Sequence, residues 1–87
     1  MGKYKILISR TAEKAINKIP KSCLTKILAA ISALSFDPFP DGHRKLKGYD
    51  DIYRIRVQNY RIIYEVFTKE IIIKILKVGH RKDVYRN

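Results

Sequence analysis

Arg54, Arg56 and Arg61 are the residues whose type and spacing point most directly to chemistry. Tyr53, Ile55 and Val57 alternate with Arg54 and Arg56; Tyr60, Ile62, Tyr64 and Val66 alternate with Arg61, Ile63 and Glu65. Both segments therefore read as strands of period two. With Gln58 and Asn59 as the turn between them, Val57 falls opposite Tyr60, Arg56 opposite Arg61, Ile55 opposite Ile62, Arg54 opposite Ile63 and Tyr53 opposite Tyr64. One face is then apolar and the other carries all three arginines. Like charges directly opposite each other destabilise a sheet by some tenths of a kcal/mol. Folding gains nothing from that arrangement, and lysine, threonine or glutamine would serve a solvated face equally well. The guanidinium is a planar fork of donors matched to phosphate oxygens. The spacing therefore predicts an anion site; the competing reading is a solvated strand face with Glu65 or Asp51 as ion-pair partners.

Other groups could join it. His80, Arg81 and Tyr85 follow the last strand and are expected to reach the arginine face. There Tyr85 could stack on an exposed base, and His80 is a candidate for proton transfer or a further anion donor. Lys45 and Lys47, ahead of Gly48, form a smaller basic patch, and Lys82 adds charge near the end of the chain. His43 lies in a proline-rich loop and is expected to be exposed and idle. No carboxylate pair, Ser-His-Asp set, glycine-rich phosphate loop or metal-ligand cluster is legible, so no cofactor and no metal are expected. Metal-dependent nuclease chemistry needs convergent carboxylates, and the 8 acidic residues are scattered. Metal-free RNA cleavage needs a neighbouring 2′-hydroxyl, charge stabilisation of a pentacoordinate phosphate and proton transfer. Arginines supply the second of these; as bases they are poor, because they stay protonated.

Elements able to hold such a site must fit in 87 residues, which allows one domain, 1–87. The formal charge of +11 favours a polyanionic partner, nucleic acid ahead of a membrane surface or an acidic protein. No apolar run is long enough to span a bilayer and the start is too short on apolar residues for a secretory signal, so a cytoplasmic protein is expected. Cys23 has no disulfide partner and reads as a small buried hydrophobe on a helix.

Lys3 to Ser9 predicts a strand. Ser9 or Thr11 can cap a first helix through Ile19, with Glu13 in its first turn. Pro20 opens a second helix, whose Leu24, Ile27, Leu28, Ile31 and Leu34 make one apolar stripe. Lys14, Lys18, Lys21 and Lys26 give the helical hairpin a basic outer face. Phe36 to Gly42 is a loop rich in breakers. Three antiparallel strands follow, with turns at Gln58-Asn59 and Thr68-Lys69; Asn59 tolerates a left-handed backbone, and the chain is expected to leave the sheet at Gly79. The class is α+β in the order β-α-α-β-β-β, with the helices on one sheet face.

Lys45-Leu46-Lys47-Gly48, Tyr53-Arg54-Ile55-Arg56-Val57, Tyr60-Arg61-Ile62-Ile63-Tyr64 and Val78-Gly79-His80-Arg81-Lys82-Asp83-Val84-Tyr85 resemble the RelE/ParE superfamily of bacterial and archaeal toxins, and the resemblance covers nearly the whole chain. It implies a RelE-like fold and the toxin of a type II toxin–antitoxin system. The RelE branch cleaves messenger RNA in the A site of the 70S ribosome by 2′-hydroxyl attack, leaving a cyclic phosphate and a 5′-hydroxyl, and so inhibits translation. By motif position Arg54 and Arg56 match paired basic residues that are often lysines, one of them a proposed general base. Arg61 matches the transition-state arginine, Arg81 the general acid and Tyr85 the stacking tyrosine. The resemblance further implies a cognate antitoxin that neutralises the toxin, and operator DNA as a partner only through that antitoxin. The alternative within the superfamily is a ParE-like poison of gyrase without nuclease activity.

Overall fold

The computed structural model describes residues 2–80. The chain runs β1 (Lys5–Ile8), α1 (Arg10–Ile16), α2 (Lys21–Leu34), β2 (Arg44–Lys45), β3 (Ile52–Val57), β4 (Tyr60–Phe67) and β5 (Ile72–His80). The class and order are those expected, with one addition: β2, a two-residue strand at the sheet edge. The strands lie in the order β1-β5-β4-β3-β2. β1 runs parallel to β5, and the β2–β3, β3–β4 and β4–β5 pairs are antiparallel.

Each helix starts where local chemistry dictates. Ser9 caps α1 by accepting a hydrogen bond from the Ala12 amide at 3.1 Å. Its hydroxyl donates at 2.9 Å to the carbonyl of Leu76. Pro20 occupies the N-cap of α2, where a missing amide hydrogen removes nothing the helix needs. Ile27, Ile31 and Leu34 of α2 join Ala12, Ile19, Ile55, Ile62, Tyr64, Val66, Ile73, Ile75 and Val78 in one core between the helices and the sheet. Leu28 departs from the expected stripe: it is 44% exposed. Cys23 is half-buried on α2, its thiol 3.5 Å from the Gln58 side-chain oxygen.

The loop before β2 is held from the core. The Tyr64 hydroxyl donates to the Pro38 carbonyl at 2.6 Å, and burial, followed by the nearby Tyr53 and Asp37, raises its pKa above the usual 10.0. His43 is not idle. Its Nδ1 lies 2.8 Å from the Pro40 carbonyl, which can only accept, so this nitrogen carries the proton. The ring sits 5.6 Å from Phe39 and 5.7 Å from Tyr53. The histidine therefore fastens the loop against β3.

Two turns use left-handed backbone at residues that resist it. In the β3–β4 turn it is Gln58, at φ 56°, and not Asn59. The β4–β5 turn runs from Thr68 to Ile71, longer than the expected Thr68-Lys69, and Ile71 takes φ 59°.

β5 differs most from expectation. It does not leave the sheet at Gly79 but runs on to His80. Its pairing with β4 slips by one residue: Tyr64 faces Ile75, while Ile63 faces Lys77. Leu76 is the extra residue, a β-bulge. The Ser9 hydroxyl accounts for its carbonyl. The bulge reverses the face of residues 77–80. Val78 and His80 turn toward the helices, and Lys77 and Gly79 turn to the opposite face.

Candidate functional site

Residues paired across a ladder share a face, so the register shows which side chains lie together. Every expected β3–β4 pair is present, Arg56↔Arg61 and Arg54↔Ile63 included. Away from the helices, one cross-strand row is Arg56, Arg61 and Gly79; the next is Arg44, Arg54, Ile63 and Lys77. The face thus carries the three expected arginines together with Arg44 and Lys77.

The five cations are held differently. Arg44, Arg56 and Lys77 are exposed and Arg54 is half-buried. Arg61, on the central strand, is only 5% exposed. Opposite it on β5 stands Gly79, which contributes no side chain. Removing a guanidinium from water is costly, and the same loss of water strengthens its attraction to an anion that reaches it. This arrangement suits a phosphate: one buried, oriented fork flanked by exposed cations.

The other expected residues are distributed as follows. Lys45 pairs with Tyr53, so it belongs to the opposite face from the arginines. Lys47 is exposed in the connection from β2 to β3. His80 is not on the arginine face. It pairs with Tyr60, the two rings meeting edge to face at 5.9 Å on the helix side. Arg81, Lys82 and Tyr85 lie outside the described residues. Among the described residues no group of three His, Cys, Asp or Glu side chains is placed to hold a metal ion.

Arg44 and Lys77 were not anticipated. A two-residue strand has no period to read, so nothing local marked Arg44. For Lys77 a signal existed: the apolar positions Ile73 and Ile75 are followed by Val78, a step of three where an unbroken strand takes two.

The comparisons with known proteins agree with this architecture. The family model described as ParE toxin of type II toxin-antitoxin system, parDE, matches residues 6–85. RelE1 of Methanocaldococcus jannaschii is 32% identical over 88 aligned positions, covering 98% of this chain and 98% of the relative. Toxin RelE3 of the same archaeon is 35% identical over 85, covering 93% and 94%. Among solved structures, the archaeal RelE-RelB complex from Pyrococcus horikoshii matches with a TM-score of 0.82 at 34% identity, covering 93% of this chain and 98% of that one. A mixed sheet with a helical hairpin on one face and a strongly basic opposite face defines a small α+β domain of the RelE type. The chain belongs to the RelE/ParE family of toxins of type II toxin–antitoxin systems, on the RelE side by its relatives.

Proposed function

We propose that this toxin is a metal-independent endoribonuclease that cleaves messenger RNA in the ribosomal A site, using the arginine face as its phosphate-binding surface. The observation that carries this reading is the convergence of Arg54, Arg56 and Arg61 on one face with Arg61 buried at its centre. In the proposed reaction the 2′-hydroxyl, its proton passing to water, attacks the adjacent phosphorus. The P–O5′ bond breaks, the 5′-oxygen leaves as a hydroxyl, and a 2′,3′-cyclic phosphate remains. Negative charge builds on the non-bridging oxygens. Arg61 meets it from a desolvated position, while Arg54 and Arg56 orient the strand and share the charge. Removing one such preorganised donor costs about 10²–10³ in rate. By resemblance Arg81 protonates the leaving oxygen and Tyr85 stacks on a base, while Lys47 and Lys82 add to RNA affinity; Lys45, on the opposite face from the arginines, is not part of this surface. His80, on the helix side, takes no part in the proton transfer.

The solved Pyrococcus horikoshii toxin is in complex with its RelB partner. We infer a cognate antitoxin here as well, acidic enough to pair with a chain of charge +11. Relatives that carry the RelE name, together with the clustered arginines, favour RNA cleavage over gyrase poisoning. Primer extension on a reporter transcript after induction tests this. In-frame cuts that vanish when the start codon is removed, and that Arg61→Ala abolishes, are expected. Intact transcripts accompanied by DNA double-strand breaks would overturn the proposal in favour of gyrase.

A further inference from the structure

On the helix side, between α1 and the adjoining ends of β4 and β5, lies a cleft of about 480 Å³, within the size range of small-ligand sites. Lys14, on α1, and Lys18, in the turn just past the end of that helix, line one wall. Tyr60 and His80 form the other, in edge-to-face contact at 5.9 Å, with Val78 between the walls. Gly79 lines it too, and Gly79 is also the residue facing Arg61 in the arginine row. The cleft and the row therefore meet at one end of the sheet, back to back across a residue without a side chain.

Two lysines beside an aromatic pair are what an anion carrying a flat ring would require. Aromatic rings offer a stacking surface that any base can use, and lysines track the phosphates. An acidic peptide would satisfy the lysines. It would not exploit the paired rings or explain the continuity with the arginines. We propose that the cleft holds one nucleotide of single-stranded RNA whose neighbouring phosphates cross the arginine row, its base against Tyr60 and His80 and its phosphates at Lys14 and Lys18. The proposal rests on the arginine face being the RNA surface, and it extends the substrate path around the sheet end onto the helix side.

The test uses the full chain and a fluorescein-labelled oligouridine about 12 nucleotides long, a span of the order of one single-strand site. Affinity is measured by anisotropy across a salt series. Neutralising each phosphate in single-stranded nucleic acid contributes about 0.7 to the slope of log K against log salt. The double variant Lys14→Gln/Lys18→Gln should reduce the slope by about 1.4, equivalent to about 25-fold at 0.1 M salt for an unchanged 1 M intercept. His80→Ala should weaken binding about tenfold by removing a stacking ring. Both variants lie on the surface, and melting curves confirm that they fold. Lys21→Gln/Lys26→Gln removes the same charge from α2, outside the cleft, and should have a clearly smaller effect; equal effects from the two pairs overturn the site. Arg56→Gln separates the two readings. If it weakens binding while the Lys14/Lys18 variant does not, the cleft is refuted and the arginine surface stands. If the lysine variant alone weakens binding, the arginine surface fails and the path across the row is refuted with it, leaving only a nucleotide site in the cleft. Loss of binding to a glutamate-rich peptide by the lysine variant, with oligouridine binding intact, identifies a protein-docking groove and overturns the proposal.

Discussion

Replacing Arg61 by methionine should make this protein more stable and inactive. Arg61 is 5% exposed and lies directly opposite Arg56 in the ladder, so its charge is both desolvated and set against a like charge. Methionine keeps an unbranched stem of similar reach and fills the position without charge. Replacing buried ion pairs or triads with well-packed apolar groups is often neutral or stabilising, by up to about 1–4 kcal/mol. Arg61 also makes contacts of its own, which the variant gives up, so the low end, about 1 kcal/mol, is the expectation. For a domain of this size that is a rise in melting temperature of about 4–8 °C. Melting followed by circular dichroism gives the first readout, and growth arrest with primer extension after induction gives the second, where transcript cutting should fall by about 10²–10³. A fall in melting temperature would show that Arg61 is there to hold the sheet together. Undiminished toxicity would show that the anion site is elsewhere. Either result refutes the argument that a buried arginine is retained here at the expense of stability.

Arg56→Gln, at an exposed position, should leave the melting temperature nearly unchanged while lowering the salt slope for oligouridine binding by about 0.7; an unchanged slope means that Arg56 meets no phosphate. Tyr64→Phe strips the Pro38 carbonyl of its donor and should cost about 1–2 kcal/mol in urea unfolding. The same tyrosine sets an alkaline limit. Its folded pKa is raised above 10.0, so its contribution is complete below pH 10. As pH rises further the unfolded chain releases the proton and the folded chain keeps it. Stability should therefore drop by about 1.4 kcal/mol per pH unit until the folded group also titrates. That slope should be absent in Tyr64→Phe, and its persistence there would assign it to another group. Ile71→Gly relieves a left-handed β-branched residue that is 37% exposed. The strain of roughly 1–2 kcal/mol, less the entropy that glycine loses on folding, leaves a gain of about 0.5–1 kcal/mol. A lower melting temperature would mean that the Ile71 side chain contributes more by packing than its backbone costs.

The period-two alternation of Tyr53 to Val66 and a two-residue turn were enough to read the whole β3–β4 register, because a slip by one residue would expose every apolar side chain on that face. The arginine cluster was legible for the same reason. The helices were legible from Ser9, Pro20 and the spacing of Ile27, Ile31 and Leu34, although α2 turned Leu28 outward. The position of His80, by contrast, was decided by tertiary structure. A bulge at Leu76 lets β5 follow the sheet while its carbonyl meets the Ser9 hydroxyl 67 positions earlier, and that one extra residue carries His80 to the helix side and Lys77 to the arginines. Arg44 reached the same face only through pairing with Arg54 at the sheet edge. Local pattern determines which face a residue takes within an unbroken strand. Where the ladder slips, or where a strand is too short to have a period, the face is set by partners distant in the chain, and no short window of sequence contains both.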